Sequence, residues 1–390
     1  MDFEAKLVIE ALRSGIPSRA IGGYFSSARS ELLAGLSDRL GENRVGGEII
    51  TASYGEGKTH LLNTVFKIAQ NKNMAVSMVS LSRETPFNNP HLIYKKIAQN
   101  TYLPDREQPG FEQLIEKLSA ADMTELQLYA AKSLQTDKLY YLLEAYTNTD
   151  NSDVKFSLMA DLQGDFITNE QLKKIYREIF AKKIVFSQNF AKSRHYWDYH
   201  MFLSKLFSLS GLGGWVLLFD EAEHIGRLGP KARLNAYYNM SKYLQTDDSN
   251  PAFALFTMTS NYKEEVIGAK KERERLETTE GLDRAAIESV LDKIESAAEL
   301  SKVDRDEFMT IVSKIVDFHS RAYEWTPSIS ATDLCEKVWS LGQHTYLRTK
   351  IRAAIEHLDQ LFQYGDTGTI LAEDLEQETY SEEIPLPEEL

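Results

Sequence analysis

The chain has 390 residues, of which 43% are hydrophobic and 26% charged, and this length can bury the cores of two or three domains. Its one cysteine, Cys335, excludes an intramolecular disulfide and a cysteine-rich zinc site and indicates a reducing compartment. The net charge of -14 is concentrated at the end of the chain, because residues 353–390 hold eleven acidic residues and no Lys or Arg, and the rest carries only -3.

Hydrophobic periodicity predicts alternating strands and helices. The predicted strands are 48–52, 74–81, 215–220, 252–259 and 297–300. The predicted helices are 2–13, 27–40, 58–71, 90–100, 230–245 and 283–296, with a charged helical stretch at 263–277 and a closing bundle at 304–319, 331–342 and 346–363. The residues between 100 and 215 show helical patterns and are too many for a short crossover, so they predict a helical insertion. This alternation predicts a three-layer α/β sandwich with a parallel sheet.

The segment GGEIITASYGEGKTHLLNTVF, residues 46–66, has the order of a phosphate-binding P-loop: an apolar strand, a small-residue turn and an amphipathic helix. Gly55 and Gly57 free the backbone to wrap its N–H groups around anionic oxygens. Lys58 adds charge for the terminal phosphates, and Thr59 offers a hydroxyl to Mg2+. The pattern starts with Gly where this chain has Ala52, a departure of one methyl group. The predicted nucleotide-binding residues are Tyr54, Gly55, Glu56, Gly57, Lys58, Thr59 and His60.

A glycine-rich turn with one lysine also occurs in loops that bind nothing, and the loop alone leaves that alternative open. We interpret His60, one step into the helix, as a packing residue, because no second His or Cys stands nearby at metal-ligand spacing.

An acidic strand end strengthens the nucleotide prediction. WVLLFDEAE, residues 215–223, is an apolar run ending in adjacent carboxylates, as expected of a buried parallel strand whose carboxyl end faces a nucleotide. In that setting Asp220 would hold Mg2+ and Glu221 would polarise the attacking water. The alternative is a plain strand leading into a capped helix. Both motifs in this order predict binding of ATP or GTP with Mg2+.

The order of elements resembles the AAA+ class, in its initiator and clamp-loader-like branch with a helical lid. The resemblance implies that a polar residue of TSNY, residues 259–262, senses the γ-phosphate or the lytic water: Asn261 is our choice and Ser260 the reserve. It also implies that Arg348, in YLRTKIR, is the lid arginine that reaches the phosphates. The alternatives are a turn former for Asn261 and a helix-surface arginine for Arg348.

Three arginines are candidates for acting on the nucleotide of a neighbouring subunit. Arg273, Arg275 and Arg284 all precede the predicted strand 297–300, and we favour a charge-dense helix surface for the three.

A narrower resemblance covers residues 10–100 and 211–365. ASYGEGKTHLL, SLSRETPFNNPHLIYKKI, WVLLFDEAEHIGRL and KARLNAYYNMSKYL are similar to stretches of the ATP-binding proteins of bacteriophage-exclusion (BREX) systems. Ala222 replaces Leu in their Asp-Glu-Leu-Glu strand end, and the neighbouring acids remain. The resemblance implies an AAA+/ASCE-like three-layer P-loop ATPase of prokaryotic anti-phage defence, a homo-oligomer that acts with a helicase or other defence proteins on DNA. It also favours ATP over GTP, since no guanine-reading Asn-Lys-x-Asp is evident.

The implied organisation has five parts. They are the N-terminal part of the AAA+-like P-loop domain at 1–104, the helical insertion at 105–210, the C-terminal part of the P-loop domain at 211–300, the helical lid at 301–365 and an acidic tail at 366–390. Solvated or disordered chain is the favoured interpretation of the tail.

A basic cluster, an aromatic stripe and the lack of a targeting signal give expectations about DNA binding and cellular location. A basic cluster near the end of the insertion is the best candidate DNA-facing surface, although a solvated helix face is the commoner structure. It comprises Lys173, Lys174, Arg177, Lys182, Lys183, Lys192 and Arg194. In the adjacent RHYWDYH, we favour a packed stripe for Tyr196, Tyr199 and Phe202 over base stacking. The N-terminus lacks a signal-peptide pattern and no apolar run could span a membrane, so we expect a cytoplasmic protein.

Two functions remain open. In the first, the chain is an ATPase that assembles side by side and remodels or loads a partner on DNA. In the second, ATP binding is a switch that recruits a partner protein with little or no hydrolysis.

Overall fold

The computed structural model describes residues 2–14, 22–25, 29–41, 46–247, 250–341 and 346–365. The predicted acidic tail at 366–390, the first two residues of the predicted helix 27–40 and the last residue of the predicted helix 331–342 lie outside the described residues. The chain forms two compact units. We call residues 1–35, 52–67 and 300–390 the P-loop unit, and residues 36–51 and 68–299 the sheet unit.

A six-stranded sheet has the order β3-β2-β4-β5-β1-β6. Its strands are β1 Gly46–Ala52, β2 Ala75–Ser80, β3 Thr101–Tyr102, β4 Trp215–Asp220, β5 Phe253–Thr259 and β6 Ala298–Glu299. β2 and β5 both pair parallel with β4, and β1 pairs parallel with β6. The five predicted strands are therefore confirmed, and the sheet is mostly parallel. β3 was not predicted, because two residues are too few to show a strand pattern; it pairs antiparallel with β2.

Helices account for most of the remaining regular structure. They are α1 Phe3–Ser14, α2 Ser30–Gly41, α3 Lys58–Asn71, α4 Pro90–Gln99, α5 Glu112–Lys117, α6 Ala120–Lys132, α7 Lys138–Thr147, α8 Ser152–Ala160, α9 Asn169–Phe180, α10 Lys192–Leu209, α11 Pro230–Leu244, α12 Glu272–Thr278, α13 Arg284–Glu295, α14 Arg305–Tyr323, α15 Ala331–Trp339 and α16 Leu347–Tyr364. Pro90 and Pro230 open α4 and α11, where the missing N–H leaves no bond unmade. Within the described residues, no helix is long and apolar enough to cross a membrane.

The core of the sheet unit includes β4, whose six residues are all buried. The helices between β3 and β4 contribute to the same core, through residues such as Leu142 and Phe202. Tyr196, Tyr199 and Phe202 of α10 are at most 3% exposed, which confirms the predicted packed stripe.

A buried ionic cluster joins these helices. Lys138 Nζ lies 2.6 Å from Asp161 Oδ1, and both side chains are fully buried. Lys138 also donates to the carbonyl of Ile167 at 2.8 Å and lies 4.2 Å from the centre of the Phe190 ring, while the Tyr199 hydroxyl donates to Asp161. Burial lowers the pKa of Lys138 and raises that of Asp161, and their pairing opposes both shifts. Each charge therefore depends on the other to remain buried.

The predicted helical stretch 263–277 is helical, but in two parts. A π-helical turn covers Lys263–Gly268, and α12 begins only after Lys271, which has left-handed φ of 54°. The break brings Glu272 into the core, where Arg233 of α11 donates to its carboxylate from Nε at 2.9 Å. Arg233 thus supplies the partner that the buried Glu272 carboxylate needs.

The P-loop unit contains a helical cluster in which α1 packs on α14 and α16. The sequence predicted helices α14 to α16 as a bundle but gave no sign that α1 joins them. Arg13 of α1 reaches Asp359 of α16 with Nη2 at 2.8 Å and Nε at 3.0 Å. Burial would raise the pKa of Asp359, but His319 and Arg13 outweigh it and hold that pKa below its usual value. A carboxylate thus fixes the N-terminal helix to the last one.

We expect Lys138→Met to lower the free energy of unfolding by about 3–5 kcal/mol, because it leaves Asp161 as an unpaired buried charge. The matched control is Lys95→Met, which removes an ion pair with Asp165 whose side chains are 38% and 47% exposed; it should cost less than about 1 kcal/mol. Urea unfolding at pH 7 measures both. Equal losses in the two variants would contradict the structural role given to the buried pair.

Candidate functional site

The loop between β1 and α3 has the backbone that a phosphate cradle needs. Gly55 and Gly57 have φ of 74° and 89°, a region that residues with a Cβ seldom adopt. Ala52 is the last residue of β1 and therefore has strand conformation, so the methyl group at this position is accommodated. Lys58 opens α3, and its Nζ lies 3.4 Å from the Ala52 carbonyl. Backbone N–H groups, a helix N-terminus and an ammonium group thus come from one short segment, which fits an anionic phosphate.

The start of α16 lies against this loop. A Cβ placed on Gly55 would lie 3.1 Å from Cβ of Tyr346, and the rings of Tyr54 and Tyr346 meet edge to face at 6.1 Å. The Arg348 guanidinium carbon is 5.8 Å from the centre of the Tyr54 ring. The structure therefore brings the predicted lid arginine to the predicted nucleotide loop. Tyr346 was missed, because nothing in the sequence around it indicates a loop contact.

His60 packs in the first turn of α3. Its ring meets the Phe25 ring at 70° with centres 6.4 Å apart, and its Nε2 is buried with no hydrogen-bond partner among the described residues. Burial lowers the pKa of His60 to about 4, so the ring is neutral at pH 7. A neutral ring against an aromatic one agrees with a packing role.

Glu56, in the middle of the loop, is 7% exposed. The negative charge of Glu56 partly opposes the lowering of the Lys350 pKa that burial causes, so the two side chains are close enough for their charges to interact. Lys350 also lies 3.9 Å from the centre of the Trp339 ring.

In the sheet unit, β4 ends in the two predicted acidic residues. Asp220 is 4% exposed, and its Oδ1 accepts hydrogen bonds from the Thr257 hydroxyl at 2.8 Å and from the Glu221 N–H at 2.9 Å. Glu221 has left-handed φ of 57°, a strained conformation for a residue with a side chain, and such strain is concentrated at functional sites.

The Glu221 carboxylate has a partner that the sequence did not predict. The Ser80 hydroxyl, at the end of β2, donates to Glu221 Oε2 at 2.8 Å. Ser80 and Asp220 are register partners across the parallel pair β2–β4, which explains why the two strand ends meet. The signal available in the sequence was a serine closing the strand before the acidic one. His224 lies 3.8 Å from the same carboxylate oxygen.

The two predicted sensor residues differ in environment. Asn261 is exposed, and its side-chain amide donates to Glu265 at 2.6 Å. Ser260 places its hydroxyl oxygen in a buried position, where it has no hydrogen-bond partner in the described part of the chain.

The three arginines considered for a neighbouring subunit all have partners within this chain. Arg273 bonds Asp292 and Glu295, Arg275 donates to the Lys270 carbonyl, and Arg284 donates to the Glu277 carbonyl.

Across the residues that the structure describes, no group of three or more His, Cys, Asp or Glu side chains is placed to hold a metal ion. The Thr59 hydroxyl in the P-loop unit and the Asp220 carboxylate in the sheet unit are each an oxygen ligand of the type that Mg2+ takes.

Comparison with known proteins places the chain in a family. A family model described as BREX system ATP-binding protein BrxC/D matches residues 3–128 and 105–371. A comparison with curated proteins finds no match. Among solved structures, a Walker-type ATPase of Pyrococcus abyssi is 14% identical, with 88% of this chain and 70% of that chain covered and a TM-score of 0.34, a likeness too low to carry an argument. The family match spans most of the chain and confirms the resemblance noted in its motifs, and the chain therefore belongs to the BREX system ATP-binding protein BrxC/D family.

Proposed function

We propose that this chain is an AAA+-like ATPase that binds ATP and Mg2+ at the P-loop and uses hydrolysis to remodel or load a partner on DNA in anti-phage defence. The observation that carries the proposal is the loop itself, with two left-handed glycines directly before Lys58 and the N-terminus of α3. Membership of a family of ATP-binding defence proteins supports the nucleotide and the setting. The five-part domain division given from the sequence belongs to the same proposal.

Each motif residue has one role in this reaction. Loop N–H groups and Lys58 hold the phosphates, and Thr59 and Asp220 provide oxygen ligands for Mg2+. Mg2+ held by these two residues would neutralise charge that develops on the phosphate oxygens. Water attacks the γ-phosphorus and gives its proton to the Glu221 carboxylate, while the bond to the leaving ADP oxygen breaks. Arg348 and Asn261 contact the γ-phosphate region.

The second candidate is a nucleotide switch with slow or no hydrolysis. Two observations favour it: the candidate finger arginines are engaged within their own chain, and Ser80 already occupies one oxygen of Glu221. In this case nucleotide binding would change the conformation of the chain through Arg348 at the start of α16, and a partner protein would bind one of the two conformations.

A contact with DNA is supported by the basic surface near the insertion's end. Six of its side chains are exposed and form no ion pair with any carboxylate in the described part of the chain: Lys174, Arg177, Lys182, Lys183, Lys192 and Arg194. Lys173 instead lies 5.2 Å from the centre of the Phe186 ring. Unneutralised cations in a chain of net charge -14 suit a polyanion such as the DNA backbone.

We expect Lys58→Ala to abolish ATP binding, and Glu221→Gln to preserve binding while it lowers turnover by roughly 10²–10⁴-fold, the usual contribution of a general base. Calorimetry measures binding and phosphate release measures turnover. The matched controls are Lys67→Ala, an exposed lysine of the same helix, and Glu264→Gln, an exposed acid 63% accessible; both should behave as wild type. Tight ATP binding by Lys58→Ala would refute the site.

We expect Asn261→Ala to bind ATP normally and to lose roughly 100-fold in turnover, because a donor to the γ-phosphate or lytic water acts mainly in the chemical step. Ser260→Ala is the paired variant, measured in the same assays. If Ser260→Ala alone loses turnover, the sensor is the buried hydroxyl and the assignment of Asn261 fails.

We expect the specific activity of wild type to rise with protein concentration and with added duplex or single-stranded DNA, since the proposal needs assembly and DNA coupling. A charge-removing variant, Lys182→Gln with Lys183→Gln, should weaken the DNA effect but not basal turnover. Binding without turnover at every concentration, with and without DNA, would instead establish the switch.

A further inference from the structure

One arginine that the sequence analysis did not single out lies against the P-loop. Arg29 directly precedes α2, and its Nη2 donates to the carbonyl of Glu56 at 2.8 Å and to the carbonyl of Ser301 at 3.0 Å. A Cβ placed on Gly57 would lie 3.3 Å from Nη1 of Arg29. The guanidinium group therefore lies along the peptide unit that joins Glu56 to Gly57.

The orientation of that peptide unit decides which way the Gly57 N–H points. The bond is planar and trans, so the Glu56 carbonyl and the Gly57 N–H point in opposite directions. A donor that holds the carbonyl on the outer side of the loop therefore turns the N–H to the inner side. The inner N–H groups are the ones that cradle phosphate oxygens in a P-loop.

Arg29 is itself held firmly. Its backbone has left-handed φ of 68°, and its N–H donates to Glu307 Oε1 at 3.1 Å. The other oxygen of Glu307 closes the capping box of α14 with the N–H of Asp304. The arginine is thus tied to a helix start before it reaches the loop, and the restraint on Glu56 comes from a fixed point.

The bonding of the guanidinium group argues against a simple surface ion pair. Both of its hydrogen bonds run to backbone carbonyls, and Nε is buried without a partner among the described residues. A buried Nε without a partner is costly, and a purely structural arginine would be expected to satisfy it. The carboxylates of Glu56 and Glu307 are close enough to favour the charged form of Arg29 and so oppose the lowering of its pKa by burial, but the hydrogen bonds of the guanidinium group run to backbone carbonyls.

We propose that Arg29 is a positioning residue of the nucleotide site: it fixes the Glu56–Gly57 peptide so that the Gly57 N–H faces the phosphates, and it joins this peptide to Ser301 at the entry to α14. This role rests on the proposed nucleotide function. Because the cradle serves phosphates that ATP and ADP share, loss of Arg29 affects both nucleotides alike, unlike loss of a group that contacts only the γ-phosphate.

The test is the binding of ATP and ADP to the full chain by calorimetry, below the melting temperature of each variant. We expect Arg29→Gln to weaken both nucleotides by the same factor, roughly tenfold, as for loss of a hydrogen bond from a charged donor. Arg29→Lys keeps the charge and a donor and should recover part of the affinity. Arg305→Gln is the matched control, an exposed arginine of the same unit paired with Glu336, and should bind as wild type.

Three results would overturn the proposal. Affinities of Arg29→Gln within about twofold of wild type, with only a lower melting temperature, would make the residue structural. Weakened ATP with unchanged ADP would place it at the γ-phosphate. Nucleotide affinity of Arg29→Lys no higher than that of Arg29→Gln would show that a charged donor at this position does not matter. If Arg29→Gln does not fold, Arg29→Lys is compared with wild type instead. Lys58→Ala in the same assay distinguishes failure of the Arg29 role from failure of the proposed function. If Lys58→Ala still binds nucleotide, the proposed function itself fails.

Discussion

The backbone conformation of the few residues between β1 and α3 is the constraint on which the rest of this structure depends. A loop that turns its N–H groups inward has to pass through left-handed φ, and Gly55 and Gly57 do so without the steric cost that a Cβ adds. Around this loop the P-loop unit supplies neighbours from distant parts of the sequence: Arg29 before α2, Tyr346 before α16 and Arg348 within it. The residues that contact the loop thus lie at or next to the N-terminal ends of α2 and α16.

Charged residues have two distinct uses in this chain. Lys138 with Asp161 and Arg233 with Glu272 are buried pairs, and each demands its partner because an unpaired charge cannot be solvated there. Arg233 and Asn239, both in the stretch KARLNAYYNMSKYL, lie in the core, and Asn239 donates a hydrogen bond to the Phe87 carbonyl. The cations of the proposed DNA-facing surface differ, because they are exposed and form no ion pair with a carboxylate among the described residues.

Strain and side-chain restraint coincide at the end of β4. Glu221 takes a left-handed conformation directly after a fully buried strand, and Ser80 holds its carboxylate from the neighbouring strand. Such a conformation costs about 1–3 kcal/mol and persists only when the surroundings impose it. In the proposed reaction the direction of this carboxylate sets where it meets water, which is a role that would justify this local cost. In the alternative nucleotide switch, the same hydrogen bond from Ser80 would keep the Glu221 carboxylate away from water.

The sequence by itself determined the strand and helix order, the P-loop, the acidic strand end and the family, because these depend on local periodicity and on residue spacing within one segment. It predicted β4 and α3 with the bounds later found, but missed the two-residue β3 and the break at Lys271, beside which Glu272 pairs with Arg233. Only the tertiary structure decided that α1 packs with α14 and α16, that Ser80 reaches Glu221 and that Arg29 donates to the Glu56 carbonyl. Those contacts join residues tens to hundreds of positions apart, and no local pattern records which distant side chain folding will bring to a given backbone carbonyl.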